Sequence, residues 1–150
     1  METDQMEHVP GLDQTLAQYR AAQKEFVRGN SKPFKALCSH QDDVTIAGGW
    51  GGIEKGWVAQ VEGRYDWASA RFASDDDERQ IEHVSSVVGP TLAYSVDIER
   101  STVRLSGSVS TRSLALRVTT IFRMEMGEWK IVHRHADPLV EVQGRESPTR

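Results

Sequence analysis

The sequence has one cysteine, Cys38, among its 150 residues. A lone thiol cannot staple its own chain, so a reducing, cytoplasmic setting is expected and the fold must rest on its core. No apolar run approaches the roughly 20 residues that a membrane helix needs, so a helical membrane protein is excluded. The first ten residues, METDQMEHVP, lack the basic start and apolar stretch of a secretory leader. Cys-x-x-Cys, His-Glu-x-x-His and the Gly-Lys-Ser/Thr ending of a phosphate loop are also missing. The net charge of −4 argues against a dedicated nucleic-acid binder, which is strongly basic.

What is present is an ordinary single domain. Its length suits one core, and 38% hydrophobic residues are enough to build it. The charge is uneven, however. Between Arg100 and Arg134 lie seven basic residues against only Glu125 and Glu128. Arginines on strands either pair across the sheet or make a surface that prefers anions.

The first half has helical periodicity. Leu12, Leu16, Tyr19, Gln23, Phe26 and Val27 recur at spacings of three and four before Gly29-Asn30, which predicts a helix over 11–29 with Gln23 as the one polar intruder on its apolar stripe. Ser31 can cap a short second helix with Pro33 in its first turn. A short strand, Asp43–Ala47, leads into Gly48-Gly-Trp-Gly-Gly52, and a third helix is expected from Ile53 through Trp57, Val61 and Tyr65. The second half alternates with period two. Gln80–Val88 is irregular enough to suggest a bulge, while Thr91–Arg104, Arg112–Glu125 and Trp129–Ala136 are cleaner strands joined by short turns. Helices followed by antiparallel strands imply an α+β fold.

The segments GGWGGIEKGW (48–57), RYDWASARF (64–72), AYSVDIERS (93–101), LRVTTIFR (116–123) and GEWKIVHRHAD (127–137) follow one another in this order. Together they resemble the SnoaL-like branch of the nuclear transport factor 2-like superfamily, which also holds ketosteroid isomerase and the association domain of calcium/calmodulin-dependent kinase. The resemblance covers 11–138, leaving 1–10 as a flexible N-terminus and 139–150 as a C-terminal tail. It implies a cystatin-like α+β barrel: a cone-shaped, curved antiparallel β-sheet with three N-terminal helices packed on its concave face. It also implies a homodimer through the outer sheet face.

Strand parity, with apolar faces turned inward, puts Tyr94, Val96, Thr120, Phe122 and Arg134 on the pocket wall, with Asp97, Glu99, His133 and His135 outward. A single bulge would reverse the assignment. Trp50, between pairs of glycines, is expected as a wall or lid, and Trp57 as a second aromatic lining residue. Arg134, charged on an apolar face, needs a partner: Asp66, Glu62 or the acidic end of a ligand. The resemblance places the isomerase base near Gly48, which cannot move a proton; polyketide-cyclase relatives use an acid/base residue elsewhere in the pocket, and this resemblance implies His135 or Asp137, at the end of the last strand, for the role. His133-x-His135 has the spacing of two metal ligands, but a third, from Asp97, Glu99 or Asp137, is not specified, and no metal or cofactor is expected.

Two functions fit. One is a pocket protein that binds a small apolar or weakly anionic molecule, or an isomerase, cyclase or hydratase that acts on one without a cofactor. The other is a non-catalytic dimeric accessory module with a vestigial pocket. Neither involves nucleic acid or a membrane.

Overall fold

The computed structural model describes residues 11–75, 78–142 and 144. The expected flexible N-terminus, most of the tail beyond 142, and the middle of the Asp75–Glu78 acidic run lie outside the described residues. Helix α1 spans Leu12–Phe26 and buries Leu12, Leu16, Tyr19, Ala22 and Gln23, so the stripe read from the sequence is the face that packs. It ends before Gly29, whose φ of +95° strains any other residue and where a Cβ would stand 3.3 Å from the Phe72 carbonyl oxygen. Helix α2, Lys32–Ala36, has Pro in its first turn. Ser31 makes no cap there; its hydroxyl donates to Asp66 Oδ1 at 2.6 Å instead.

Strands β1 (Thr45–Gly48) and β2 (Gly51–Lys55) form a hairpin whose turn is Gly49-Trp50. The third helix therefore starts later than expected. Ile53 belongs to β2 and is 76% exposed. A π-helical turn, Trp57–Val61, comes next, with the Val61 amide bonded five residues back to the Gly56 carbonyl. It runs directly into α3, Glu62–Ser69. Strands β3 (Glu78–Val88), β4 (Leu92–Arg104), β5 (Thr111–Glu125) and β6 (Glu128–Pro138) complete the sheet.

The six strands lie in the order β2-β1-β6-β5-β4-β3 in a curved, unclosed sheet. All neighbours are antiparallel except β1 and β6, which run parallel, so the sheet is mixed rather than wholly antiparallel. The core fills the space between α1, α2, α3 and the concave face. Tyr19, Phe34, Trp57, Val61, Tyr65, Phe122, Trp129 and Ile131 are buried there. A smaller cluster of Val27, Phe72 and Val103 closes one end.

Two bulges decide what faces this core. On β6, Trp129 and Ile131 are buried opposite Met124 and Phe122, and the register then slips by one residue at Val132. On β3 the slip falls between His83 and Ser85. The expected parity is upheld on β5. On β4 it is reversed: Ala93, Ser95, Asp97 and Glu99 are buried, while Tyr94 and Leu92 are exposed. The rule that apolar positions turn inward fails here because the charged positions Asp97 and Glu99 find partners inside.

Candidate functional site

The inner face of β4 presents Ser95, Asp97 and Glu99 in a row, spaced by roughly 7 Å as alternate strand residues are. Ser95 pairs in register with Thr120 of β5, and Thr120 with Arg134 of β6. Helix α1 lays Tyr19 and Gln23 over this row. Arg134 Nε donates to Tyr19 Oη at 2.6 Å, and its Nη2 donates to Glu99 Oε1 at 2.8 Å. The phenol proton of Tyr19 is then available to Thr120 Oγ1 at 3.0 Å. Gln23 Nε2 donates to both Glu99 oxygens, at 3.1 and 3.0 Å. Arg79 of β3 brings a second guanidinium within 3.9 Å of Glu99. Beside them His83 Nδ1 meets Asp97 Oδ1 at 2.7 Å.

These groups are taken out of water. The side chains of Glu99 and Arg134 are 4% and 16% exposed. Burial alone would lower the Arg134 guanidinium, but Tyr19 and Glu99 beside it outweigh this and raise it above an ordinary arginine. Burial also pushes the Tyr19 phenol up to about 12, so at neutral pH it is a proton-bearing donor and not an anion. Two guanidiniums, Arg134 and Arg79, stand against two carboxylates, Glu99 and Asp97, and the His83 imidazole hydrogen-bonds Asp97. Four buried side-chain atoms lack a hydrogen-bond partner among the described residues, and two of them, Gln23 Oε1 and Ser95 Oγ, belong to this cluster; the others are Glu54 Oε1 and Tyr65 Oη. Such atoms are uncommon in a folded interior and call for an explanation.

The β1–β2 hairpin folds across one end of this face. A side chain at Gly49 would touch Leu116 of β5, and Trp50 packs edge-on to Trp67 at 5.6 Å and against Phe72 at 5.3 Å. The guanidinium groups of Arg71 and Arg64 lie over the Trp67 ring, 3.5 and 4.6 Å from its centre. Two surface clefts lie at the sheet ends. One of about 590 Å³ runs between Asp43 and Arg123, and one of about 690 Å³ shares Arg79 with the interior cluster.

The residues expected to form the site are divided by this geometry. Thr120, Phe122 and Arg134 meet in the interior, with Phe122 edge-on to Tyr19 at 6.2 Å. Trp50 stands at the hairpin tip, half-exposed. Trp57 is buried in the main core, its ring stacked on His40 at 4.2 Å. Tyr94 and Val96, expected on the pocket wall, stand on the opposite, outer face. His135 and Asp137 are also on that face. Arg117 holds Asp137 through two 2.8 Å bonds, and His135 Nε2 lies 3.6 Å from Asp137 Oδ2. His133 Nδ1 meets the Thr45 hydroxyl at 2.7 Å. Among the described residues, no three His, Cys, Asp or Glu side chains come together as a metal cage. The partner of Arg134 is Glu99, not Asp66 or Glu62, which bind Lys35.

Sequence reasoning missed Glu99, Asp97 and His83 as inward residues. One signal was available, the polar Gln23 on an otherwise apolar helix stripe, which could only be tolerated opposite another polar group. The arginine surplus also resolves into pairs. Arg100 binds Glu82, Arg104 binds Asp75, Arg117 binds Asp137, and Arg123 binds Asp43 and Glu125.

The model of the family described as SnoaL-like domain matches residues 12–141. Among curated proteins none matches the sequence. Several solved structures share the fold. A Salmonella enterica protein of the nuclear transport factor 2-like superfamily is 15% identical, covers 90% of this chain and 96% of its own, and superposes with a TM-score of 0.69. A Streptomyces avermitilis protein of the NTF2-like family, described as a candidate dehydratase, is 17% identical over 87% of this chain and 99% of its own, with a TM-score of 0.67. The association domain of the Caenorhabditis elegans kinase CaMKII is 10% identical, over 83% and 92%, with a TM-score of 0.61. At these identities the likeness is one of fold.

Proposed function

The chain belongs to the SnoaL-like domain family, and on that footing we propose that its concave polar cluster binds a small organic molecule and performs cofactor-independent acid–base chemistry on it, of the isomerase, cyclase or hydratase type. The observation that carries this reading is the buried Arg134–Glu99 pair. Gln23 and Tyr19 bond to it, and the cluster still leaves Gln23 Oε1 and Ser95 Oγ unpartnered. A purely structural ion pair needs no surplus acceptor beside it, and burying one costs free energy that an apolar pair would not. A bound molecule with hydroxyl or amide protons would use both atoms. The relative described as a candidate dehydratase is in keeping with acid–base chemistry on this fold. The ligand is expected to be neutral, because the two guanidiniums and two carboxylates of the cluster balance.

We further propose that the chain works as a homodimer in a reducing, cytoplasmic setting, pairing through the outer sheet face. There Val87, Tyr94 and Ile121 lie side by side in register, with Val96 and Ile98 on the same face of β4. His133, His135 and the Arg117–Asp137 pair border this band, so His135 and Asp137 are assigned to the interface and not to proton transfer. The relatives include an association domain, which supports assembly as a use of the fold.

The test is a thermal-shift panel of small neutral hydroxy-ketones, amides and simple carboxylates. Neutral hydroxylated compounds should raise the melting temperature of the native chain and have a smaller effect on Gln23→Leu. A panel with no effect, or one in which carboxylates alone stabilise, overturns the reading.

A further inference from the structure

Of the histidines among the described residues, only His83 has a carboxylate within 3.0 Å. Its partner Asp97 is 2% exposed at the side chain, while His83 is 41% exposed. The pair thus joins a buried acceptor to an imidazole that reaches solvent. An ionised carboxylate accepts only, so the Nδ1···Oδ1 bond of 2.7 Å puts the ring proton on Nδ1 and leaves the Nε2 lone pair free. The other imidazoles are differently engaged. His40 lies on Trp57 and bonds the Lys35 carbonyl, and His133 meets the Thr45 hydroxyl. His83 is also the last residue before the β3 bulge, a distortion that re-aims side chains and recurs beside active sites. Its register partner Asp97 lies between Ser95 and Glu99 on the concave face, so the imidazole stands at the rim of the cluster that holds Gln23 and Arg134.

We propose that His83 is the proton-transfer residue of this site, that Asp97 positions it, and that the substrate class is the neutral α-hydroxy ketones and aldehydes. This rests on the reading of the concave cluster as a binding site. His83 Nε2 takes the proton from the carbon that bears the hydroxyl. The C–H electron pair becomes the C=C bond of an enediolate, whose charge moves to the carbonyl oxygen. The hydroxyl proton passes to that oxygen, which leaves the charge on the oxygen that gave it up. The imidazolium, facing Asp97, then returns its proton to the former carbonyl carbon as the C=C pair takes it up and the new carbonyl forms, and the isomeric hydroxy-carbonyl compound leaves with nothing gained or lost. An electron-rich carboxylate on Nδ1 holds the imidazole in the reactive tautomer and stabilises its charged form. The hydroxyl of such a substrate is also a donor for one of the two unpartnered atoms, Gln23 Oε1 or Ser95 Oγ.

The experiment uses 1-hydroxypropan-2-one in deuterated buffer, with loss of its C1 protons followed by NMR. A parallel nitrogen-15 spectrum reads the His83 tautomer. The native chain should exchange these protons at least tenfold faster than buffer and show His83 protonated at Nδ1. His83→Gln should return the rate to that of buffer. Asp97→Asn should lower it at least tenfold while the melting-temperature shift caused by the neutral panel is unchanged, a split that a merely structural pair would not produce. Exchange no faster than buffer, exchange unchanged in His83→Gln, or a proton on Nε2 overturns the proposal. If neutral compounds still stabilise the chain in that case, the binding reading survives without the dyad; if they do not, both fall.

Discussion

Ile131 and Arg134 point to the same side of the sheet although they are three residues apart. Ile131 pairs with Phe122 and Arg134 with Thr120, and the extra residue between the two registers is Val132. Without that bulge, strict alternation would place His133 and His135 beside Ile131, facing the core, and Arg134 outside. One unpaired residue therefore chooses which charges enter the interior. Deleting Val132 removes the extra residue and leaves Ile131 opposite Phe122, His133 opposite Ile121 and Arg134 opposite Thr120, so the same charges should stay inside on a regular strand. The expected result is a cooperative unfolding transition retained in circular dichroism, and Val132→Ala should likewise stay folded with a modest loss of stability.

The interior ion pair makes a second prediction. Glu99→Leu leaves Arg134 buried without its carboxylate and should cost about 3–5 kcal/mol. Arg134→Met should cost a similar amount. The double variant should lose much less than the sum, because two apolar groups replace two matched charges. Denaturant unfolding of the four chains gives the coupling energy directly.

Hydroxyl groups in the same interior should behave in opposite ways. Ser95 Oγ and Tyr65 Oη are buried with no partner among the described residues, so Ser95→Ala and Tyr65→Phe should be neutral or stabilise by about 1 kcal/mol. Thr120 Oγ1 is bonded to Tyr19, and Thr120→Val should instead destabilise by about 1 kcal/mol. Melting temperatures measured in one buffer settle the signs.

Acid should destabilise the fold in two steps. Burial, aided by the charge of His135, lowers the His133 imidazole below its ordinary value of 6.5. The unfolded chain then binds this proton more readily, so stability falls as pH drops through 6.5 towards the folded value. Arg117 holds Asp137, and Arg123 holds Asp43, below the usual carboxylate value of 3.8. Their contribution is complete above that value and is lost as pH falls through the lower folded values; because both pairs are largely in solvent it is small. The check is a stability–pH curve for native chain and His133→Gln, in which the variant lacks the first step alone.

On the outer face, Ile121 lies between Tyr94 and His133 in register. Ile121→Glu should leave the fold intact and convert a dimer to a monomer of 16.8 kDa by light scattering. A native chain that already scatters as a monomer would contradict the proposed pairing.

Much of this architecture is legible in the sequence because it depends on local rules. The α1 stripe, the Gly29 stop, the irregular β3 and the long β4 and β5 all follow from periodicity and turn chemistry. What misleads is β4. Its alternation is clear, but Tyr94, Val96 and Ile98 look more like a core face than Ser95, Asp97 and Glu99 do. The choice between the two depends on partners far away in sequence: Gln23, 76 residues before Glu99, and Arg134, 35 residues after it. Where a polar face goes inward, periodicity identifies the two faces without saying which is which. The late start of the third helix has a nearer cause. Glycines at 51, 52 and 56 take positive φ values and hold Ile53 in a hairpin strand before the π-helical turn begins.

The function proposed for the concave cluster depends on where a small molecule binds. The most direct measurement is a two-dimensional NMR titration of the isotopically labelled chain with the compounds that raise its melting temperature. The Gln23 side-chain amide and the backbone signals of Ser95, Asp97, Thr120 and Arg134 should shift together and saturate with one dissociation constant. Shifts confined to the outer-face residues Tyr94, Ile121, His133 and His135, with the interior signals unmoved, would contradict the proposed function.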